Sequence, residues 1–168
     1  MWHKVNIAGM TIDPATNTPV IILKSDEDDQ ALPIWIGLLE ATSIASVLQN
    51  VKFDRPMTHD LFKNFTESLN YSVSKVEVCD LKDNTFYARI HFISQDKTFS
   101  LDARPSDAIA IAIRFKAPIF VDDEVIQKSK SKETDVEPGE VVDTSEEGKK
   151  WADYLENLSP DDFGKFKV

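Results

Sequence analysis

The stretch Asp102–Arg114, DARPSDAIAIAIR, decides how the chain folds. Ile109, Ile111 and Ile113 alternate with alanines, which is the period of a strand. The composition points the other way, because alanine is the best helix former and a poor strand former. Pro105 stands where a helix would begin, and proline at the first helical position sacrifices no hydrogen bond and arrives with its φ preset. The stretch therefore reads as a helix from Pro105, apolar all round and so buried. Its polar head holds Arg104, Ser106 and Asp107. A second stretch, DRPMTHDLFKNF from Asp54, repeats the Arg-Pro and offers Thr58, His59 and Asp60 ahead of another apolar run.

Strands are expected at HKVNIAGMTI (3–12), VIILKS (20–25) and ALPIWIG (31–37), with Pro33 suiting an edge or a strand start. A helix follows over about Leu38–Asn50. Gly37, Ala41, Ile44, Ala45 and Leu48 form its apolar face, and Thr42, Ser46 and Gln49 fall mainly on its polar side. A second helix, about His59–Leu69, takes Thr58 as N-cap and Leu61, Phe62, Phe65 and Leu69 as its apolar stripe. Three strands come next: YSVSKVEVCDL (71–81), TFYARIHFIS (85–94) and KTFSLDA (97–103), with breaks short enough for hairpins. Arg89 and His91, two apart, point to one face of their strand. APIFVD (117–122) is a last short strand.

The fold class that results is α+β, a mixed and largely antiparallel sheet packed with helices. Residues 1–128 form the domain. Residues 129–148, SKSKETDVEPGEVVDTSEEG, are polar and charged and read as an acidic flexible linker. Residues 149–168 read as a C-terminal helix and tail, with Trp151, Tyr154, Leu155 and Leu158 on one helical face.

The formal net charge is -10. Residues 1–118 hold 15 acids and 12 bases, and residues 119–168 hold 14 acids and 7 bases, so the tail supplies most of the excess. Coating nucleic acid non-specifically rests on a basic face, which this balance does not provide. Gripping a few phosphates locally remains open. No run of 18 apolar residues suggests a membrane span, and the N-terminus lacks the apolar core of a secretory signal. The single cysteine, Cys79, reads as an ordinary strand residue, and a cytoplasmic setting is expected.

Helix capping explains part of the two Arg-Pro segments. With Arg104 as N-cap and Pro105 as N1, Asp107 falls at N3, where an acid reaches back to a free N–H and favours the positive helix end. Thr58 and Asp60 cap the other helix in the same way. Capping does not explain Arg55, Arg104 or His59. A cation opposes the dipole at a helix N-terminus unless an anion, or a carboxylate such as Asp60, Asp102 or Asp107, sits there. A histidine beside a carboxylate suits a general base or a metal ligand. Glu40, in the first turn of a helix rich in small residues, is a further candidate. No zinc-ligand spacing, P-loop or dinucleotide glycine fingerprint occurs.

Four segments together carry a family resemblance: LPIWIGLLEATSIA, RPMTHDLF, ARPSDAIAIAIR with PIFV, and the ending YLENLSPDDF. In that order they resemble the bifunctional nuclease domain family, over about residues 2–127 plus the terminal helix. The positions that match its motifs are Glu40, Arg55, Pro56, Thr58, His59, Asp60, Arg104, Pro105, Ser106 and Asp107. The resemblance implies an α+β domain that self-associates and a nuclease acting on DNA and RNA. On that reading the reaction is metal-assisted phosphodiester hydrolysis. Glu40, Asp60 and Asp107 would hold Mg²⁺ or Mn²⁺, and His59, Asp60 and Asp107 would be catalytic. Arg55, Thr58, Arg104 and Ser106 would bind the nucleic acid substrate. The alternative is a non-catalytic binding or regulatory module, a homodimer or larger homo-oligomer with an acidic tail.

Overall fold

In a computed structural model of the protein, the structure describes residues 1–27 and 30–133. The linker beyond Glu133 and the C-terminal helix expected at 149–168 lie outside the described residues.

Two meanders share one seven-stranded sheet. The first holds β1 (Trp2–Asp13), β2 (Thr18–Ser25) and β3 (Ala31–Trp35). Helices α1 (Leu38–Leu48) and α2 (Thr58–Ser68) follow, then the second meander of β4 (Ser72–Lys82), β5 (Thr85–Ile93) and β6 (Thr98–Ala103). Helix α3 (Pro105–Phe115) leads to β7 (Ile119–Asp122) and α4 (Asp123–Glu133). The strand order is β3-β2-β1-β7-β4-β5-β6. The short β7 joins the meanders, antiparallel to β1 and parallel to β4. The sheet is thus mixed and largely antiparallel, and Pro33 sits on the edge strand β3, where its missing N–H costs no ladder bond.

Local chemistry sets the breaks. Asp83 and Asn84 join β4 to β5 with φ of 47° and 61°, the two positive angles that a two-residue type I′ hairpin needs. Left-handed residues follow the helix ends: Asn50 after α1, Asn70 after α2 and Lys116 after α3. Asparagine tolerates that conformation better than most side chains, so α1 and α2 stop where their sequence allows it.

The helical reading of the Ala-Ile run is correct. Residues Ala108 to Ala112 of α3 are buried, and α3 packs on α1, α2, β4 and β5. Ile109 and Ile111 sit in the core with Val76, Val78, Ile90 and Val121. Burying each such side chain contributes about 1.5–3 kcal/mol. Three local expectations need correction. Thr42 and Ser46, expected on a polar face, are buried; each satisfies its hydroxyl on a carbonyl one turn back, Thr42 on Leu38 at 2.8 Å and Ser46 on Ser43 at 2.9 Å. The α2 stripe is inverted in outcome: Leu61, Phe65 and Leu69 face solvent, and only Phe62 packs on the core. Residues 123–133, unassigned up to 128 and read as linker from 129, form α4, which docks Val125 and Ile126 in the core. No helix among the described residues is long and apolar enough to cross a membrane.

Candidate functional site at the meeting of three helix N-termini

Helices α1, α2 and α3 each carry an acid at the third helical position. Glu40 follows the N-cap Gly37, Asp60 follows Met57, and Asp107 follows Arg104. Thr58, expected as the N-cap of α2, is instead its first helical residue and is exposed; Met57 holds the N-cap position. Asp60 does what an N3 acid can do: its Oδ2 accepts the Met57 N–H at 3.1 Å. Asp107 does not. Its carboxylate turns to side chains.

Those side chains form one continuous chain across the three helices. Ser43 Oγ lies 2.8 Å from His59 Nδ1, and His59 Nε2 lies 3.0 Å from Asp107 Oδ1. Arg104 Nε donates to Asp107 Oδ2 at 2.7 Å, and Arg104 Nη1 lies 2.8 Å from Glu40 Oε1. An ionised carboxylate only accepts, so the Nε2 atom of His59 carries the proton. In the neutral ring Nδ1 then accepts, and Ser43 is the donor. Burial pushes the Asp107 carboxyl up, but the hydrogen bonds from Arg104 and then His59 outweigh it and hold the group below its ordinary range. Arg104 is held in its charged form by Asp107 first and Glu40 second, although its side chain is 64% exposed.

A second network runs behind the first. Arg114, in the last turn of α3, has a side chain only 4% exposed. It donates from Nε to Asp60 Oδ1 at 2.7 Å, from Nη1 to the Ala110 carbonyl at 3.0 Å, and from Nη2 to the Ser43 carbonyl at 3.3 Å. Both carboxylate oxygens of Asp60 are thereby engaged, one by the buried arginine and one by backbone. The Glu40 carboxylate folds back over Gly37 at the head of α1, where a Cβ would make that flexible side chain turn aside.

The expected site residues thus divide. Glu40, His59, Arg104 and Asp107 come together. Asp60 is turned to Arg114. Arg55 is exposed, with no ion-pair partner among the described residues, and Ser106 is buried at the start of α3. The expected carboxylate set of Glu40, Asp60 and Asp107 does not converge, and among the described residues no three His, Cys, Asp or Glu side chains are grouped to hold a metal ion. Sequence reading missed Ser43 and Arg114. The signal for Arg114 was a cation in the last turn of an apolar helix, which must find an anion when buried. Ser43 lies three residues beyond Glu40, one helical turn on the same side, but nothing in its own surroundings distinguishes it.

A family model described as the bifunctional nuclease domain matches residues 21–134. The chain is 37% identical over 163 residues to an uncharacterized protein of Mycobacterium tuberculosis (strain ATCC 25618 / H37Rv), covering 95% of this chain and 97% of that one. It is 28% identical over 138 residues to bifunctional nuclease 1 of Oryza sativa subsp. japonica, covering 80% of this chain and 42% of the rice protein. Against bifunctional nuclease 1 of Arabidopsis thaliana the identity is 35% over 109 residues, 61% of this chain and 33% of the other. The alignments therefore span less than half the length of these plant relatives.

Proposed function

The chain belongs to the bifunctional nuclease domain family, and from that premise we propose that it is a nuclease cleaving phosphodiester bonds of DNA or RNA where α1, α2 and α3 meet. The observation that carries this reading is His59, held between a hydroxyl and a carboxylate. Asp107 fixes the ring and its tautomer and stabilises the imidazolium that forms when Nδ1 takes a proton. Arg104 and Arg55, the latter without an ion-pair partner among the described residues, are the cations for phosphate oxygens. The first turns of α2 and α3 add the positive ends of two helix dipoles.

Metal assistance does not fit these donors as they stand. Glu40 and Asp107 share one guanidinium, and Asp60 is committed to Arg114. Cleavage of single- and double-stranded DNA and RNA by protein from a nuclease-deficient host, with added Mg²⁺ or Mn²⁺ and with chelator, tests both parts. Cleavage that persists in chelator and disappears in His59→Ala supports the reading. Equal cleavage by wild type and a folded His59→Ala protein refutes it.

An assembly belongs to the same proposal. Leu38 and Leu39 in the first turn of α1, Leu61 and Phe65 along α2 and Leu69 just past its end are exposed. Large apolar side chains grouped on a helix face mark an interaction surface. The occupant proposed is a second copy of the chain, in a symmetric pair.

A further inference from the structure

We propose that Ser43 is a nucleophile and that phosphodiester cleavage passes through a covalent phosphoseryl intermediate. The substrate named here rests on the nuclease reading above; the activation of Ser43 does not.

Past the first turn, the other hydroxyls of α1 and α2 show what a helical serine or threonine does when nothing else is asked of it. Thr42, Ser46, Thr66 and Ser68 each donate to a carbonyl three or four residues back, at 2.7–2.9 Å. That back-bonding is the usual way for such a side chain to satisfy itself. Ser43 departs from it. Its Oγ is 2.8 Å from the Nδ1 of His59, on a different helix, and that ring is fixed on its far side by Asp107. A hydroxyl donating to a base that is itself oriented by a carboxylate is the arrangement that activates an oxygen nucleophile. Ser43 is half-buried and the His59 side chain is partly exposed, so the relay lies at the margin of the surface rather than in the core. Arg104 next to Asp107 lies within the same chain of contacts, a cation for the charge that builds on the phosphoryl oxygens.

Water is the one co-reactant. His59 Nδ1 takes the Ser43 proton as Oγ attacks phosphorus, and an Oγ–P bond forms. The P–O bond to the departing nucleotide oxygen breaks, and that oxygen receives the proton from Nδ1. Water, losing a proton to Nδ1, then attacks phosphorus. The Oγ–P bond breaks, and Ser43 recovers the proton. Asp107 stays ionised and hydrogen-bonded to Nε2 throughout.

The test is labelling of the full chain with a fluorophosphonate probe, read by intact mass and peptide mapping. This probe phosphonylates activated serines and needs no nucleic acid. The expected result is one adduct on wild type, mapped to Ser43, absent in Ser43→Ala and slowed at least about a hundredfold in His59→Ala. Labelling is read on wild type, so a variant that fails to fold does not decide the outcome. No adduct, or one at another serine, overturns the proposal. A second arm quenches cleavage of an end-labelled oligonucleotide in acid, with the fold of each variant checked by circular dichroism. A mass adduct of the oligonucleotide fragment on Ser43 supports the intermediate. Folded Ser43→Ala cleaving at the wild-type rate overturns the nucleophile and leaves the nuclease reading standing. Labelling of Ser43 without cleavage of any DNA or RNA upholds the nucleophile and removes the nuclease reading.

Discussion

His59 Nε2 lies 3.0 Å from Asp107 Oδ1, joining the first turn of α2 to the first turn of α3 across 48 positions of sequence. The bond fixes which ring nitrogen is free to take a proton. Asp107→Asn keeps the size and loses the charge that stabilises the imidazolium, and it removes the main partner of Arg104. Cleavage is expected to fall at least about a hundredfold in kcat. The thermal midpoint should change little, because Asp107 is about a third exposed. Arg104→Lys is the companion. Lysine keeps the charge but cannot hold Glu40 and Asp107 with one planar fork, so KM should rise more than kcat falls. Steady-state kinetics beside a melting curve checks both.

Asp60 is expected to matter for stability rather than for chemistry. Its partner Arg114 is nearly inaccessible to water, and Arg114 also holds the Ala110 and Ser43 carbonyls. Removing the acid leaves a buried cation without its counter-ion, and because Asp60 itself is a third exposed the loss is about 1–3 kcal/mol. Asp60→Ala should therefore lower the urea midpoint sharply. A variant melting like wild type while losing all activity would return Asp60 to the catalytic set.

Much of this site was legible, for reasons that can be named residue by residue. Pro105 and the alanines of α3 declared a helix against the alternating isoleucines because proline chemistry and alanine propensity are local. Arg104 at the N-cap and Asp107 at N3 follow from the same count. The convergence of Glu40 with Asp107 was not legible, because α1 and α3 meet only through packing on the sheet. The α2 stripe shows the limit of periodicity. It finds an amphipathic helix but does not say whether the apolar side meets this chain's core or something else, and here Leu61 and Phe65 face outward. Thr42 and Ser46 show the converse, since a hydroxyl that bonds back to its own helix is cheap to bury. Helix α4 was missed because its charged sequence, DEVIQKSKSKE, offers only Val125 and Ile126 to the core.

Acid stability should depend on Glu77. Its side chain is 9% exposed on β4, hydrogen-bonded to Lys75 and, at 2.6 Å, to His91 on the neighbouring β5. Burial pushes its carboxyl up, but the bonds from Lys75 and then His91 outweigh burial and hold it below its ordinary 4.5. A carboxyl depressed in the folded state binds its proton more readily when unfolded. Its contribution is complete above pH 4.5 and is lost as pH falls through the lower folded value. Glu77→Gln should be less stable than wild type at pH 7, and the gap should narrow below pH 4.5. Urea melts across pH 3–7 check this. A gap constant with pH would show that Glu77 acts through packing alone.

The α2 face makes the last prediction. Leu61 is 59% exposed and Phe65 is 60% exposed, one turn apart on a helix whose neighbouring residues His59 and Asp60 serve the two polar networks. A stable pair of chains commonly buries about 800 Å² on each partner. Leu38 and Leu39 on α1, Leu61 and Phe65 on α2 and Leu69 just past its end supply apolar side chains for its centre. Light scattering of the full chain at micromolar concentration should give at least a dimer. Leu61→Glu with Phe65→Glu should give a monomer that melts cooperatively, since neither side chain belongs to the chain's own core. If the two-chain contact also walls the site, the monomer should lose cleavage while fluorophosphonate labelling of Ser43 persists, because the Ser43–His59–Asp107 relay is complete within one chain. A wild-type protein that is monomeric at these concentrations would leave the exposed face to a different partner.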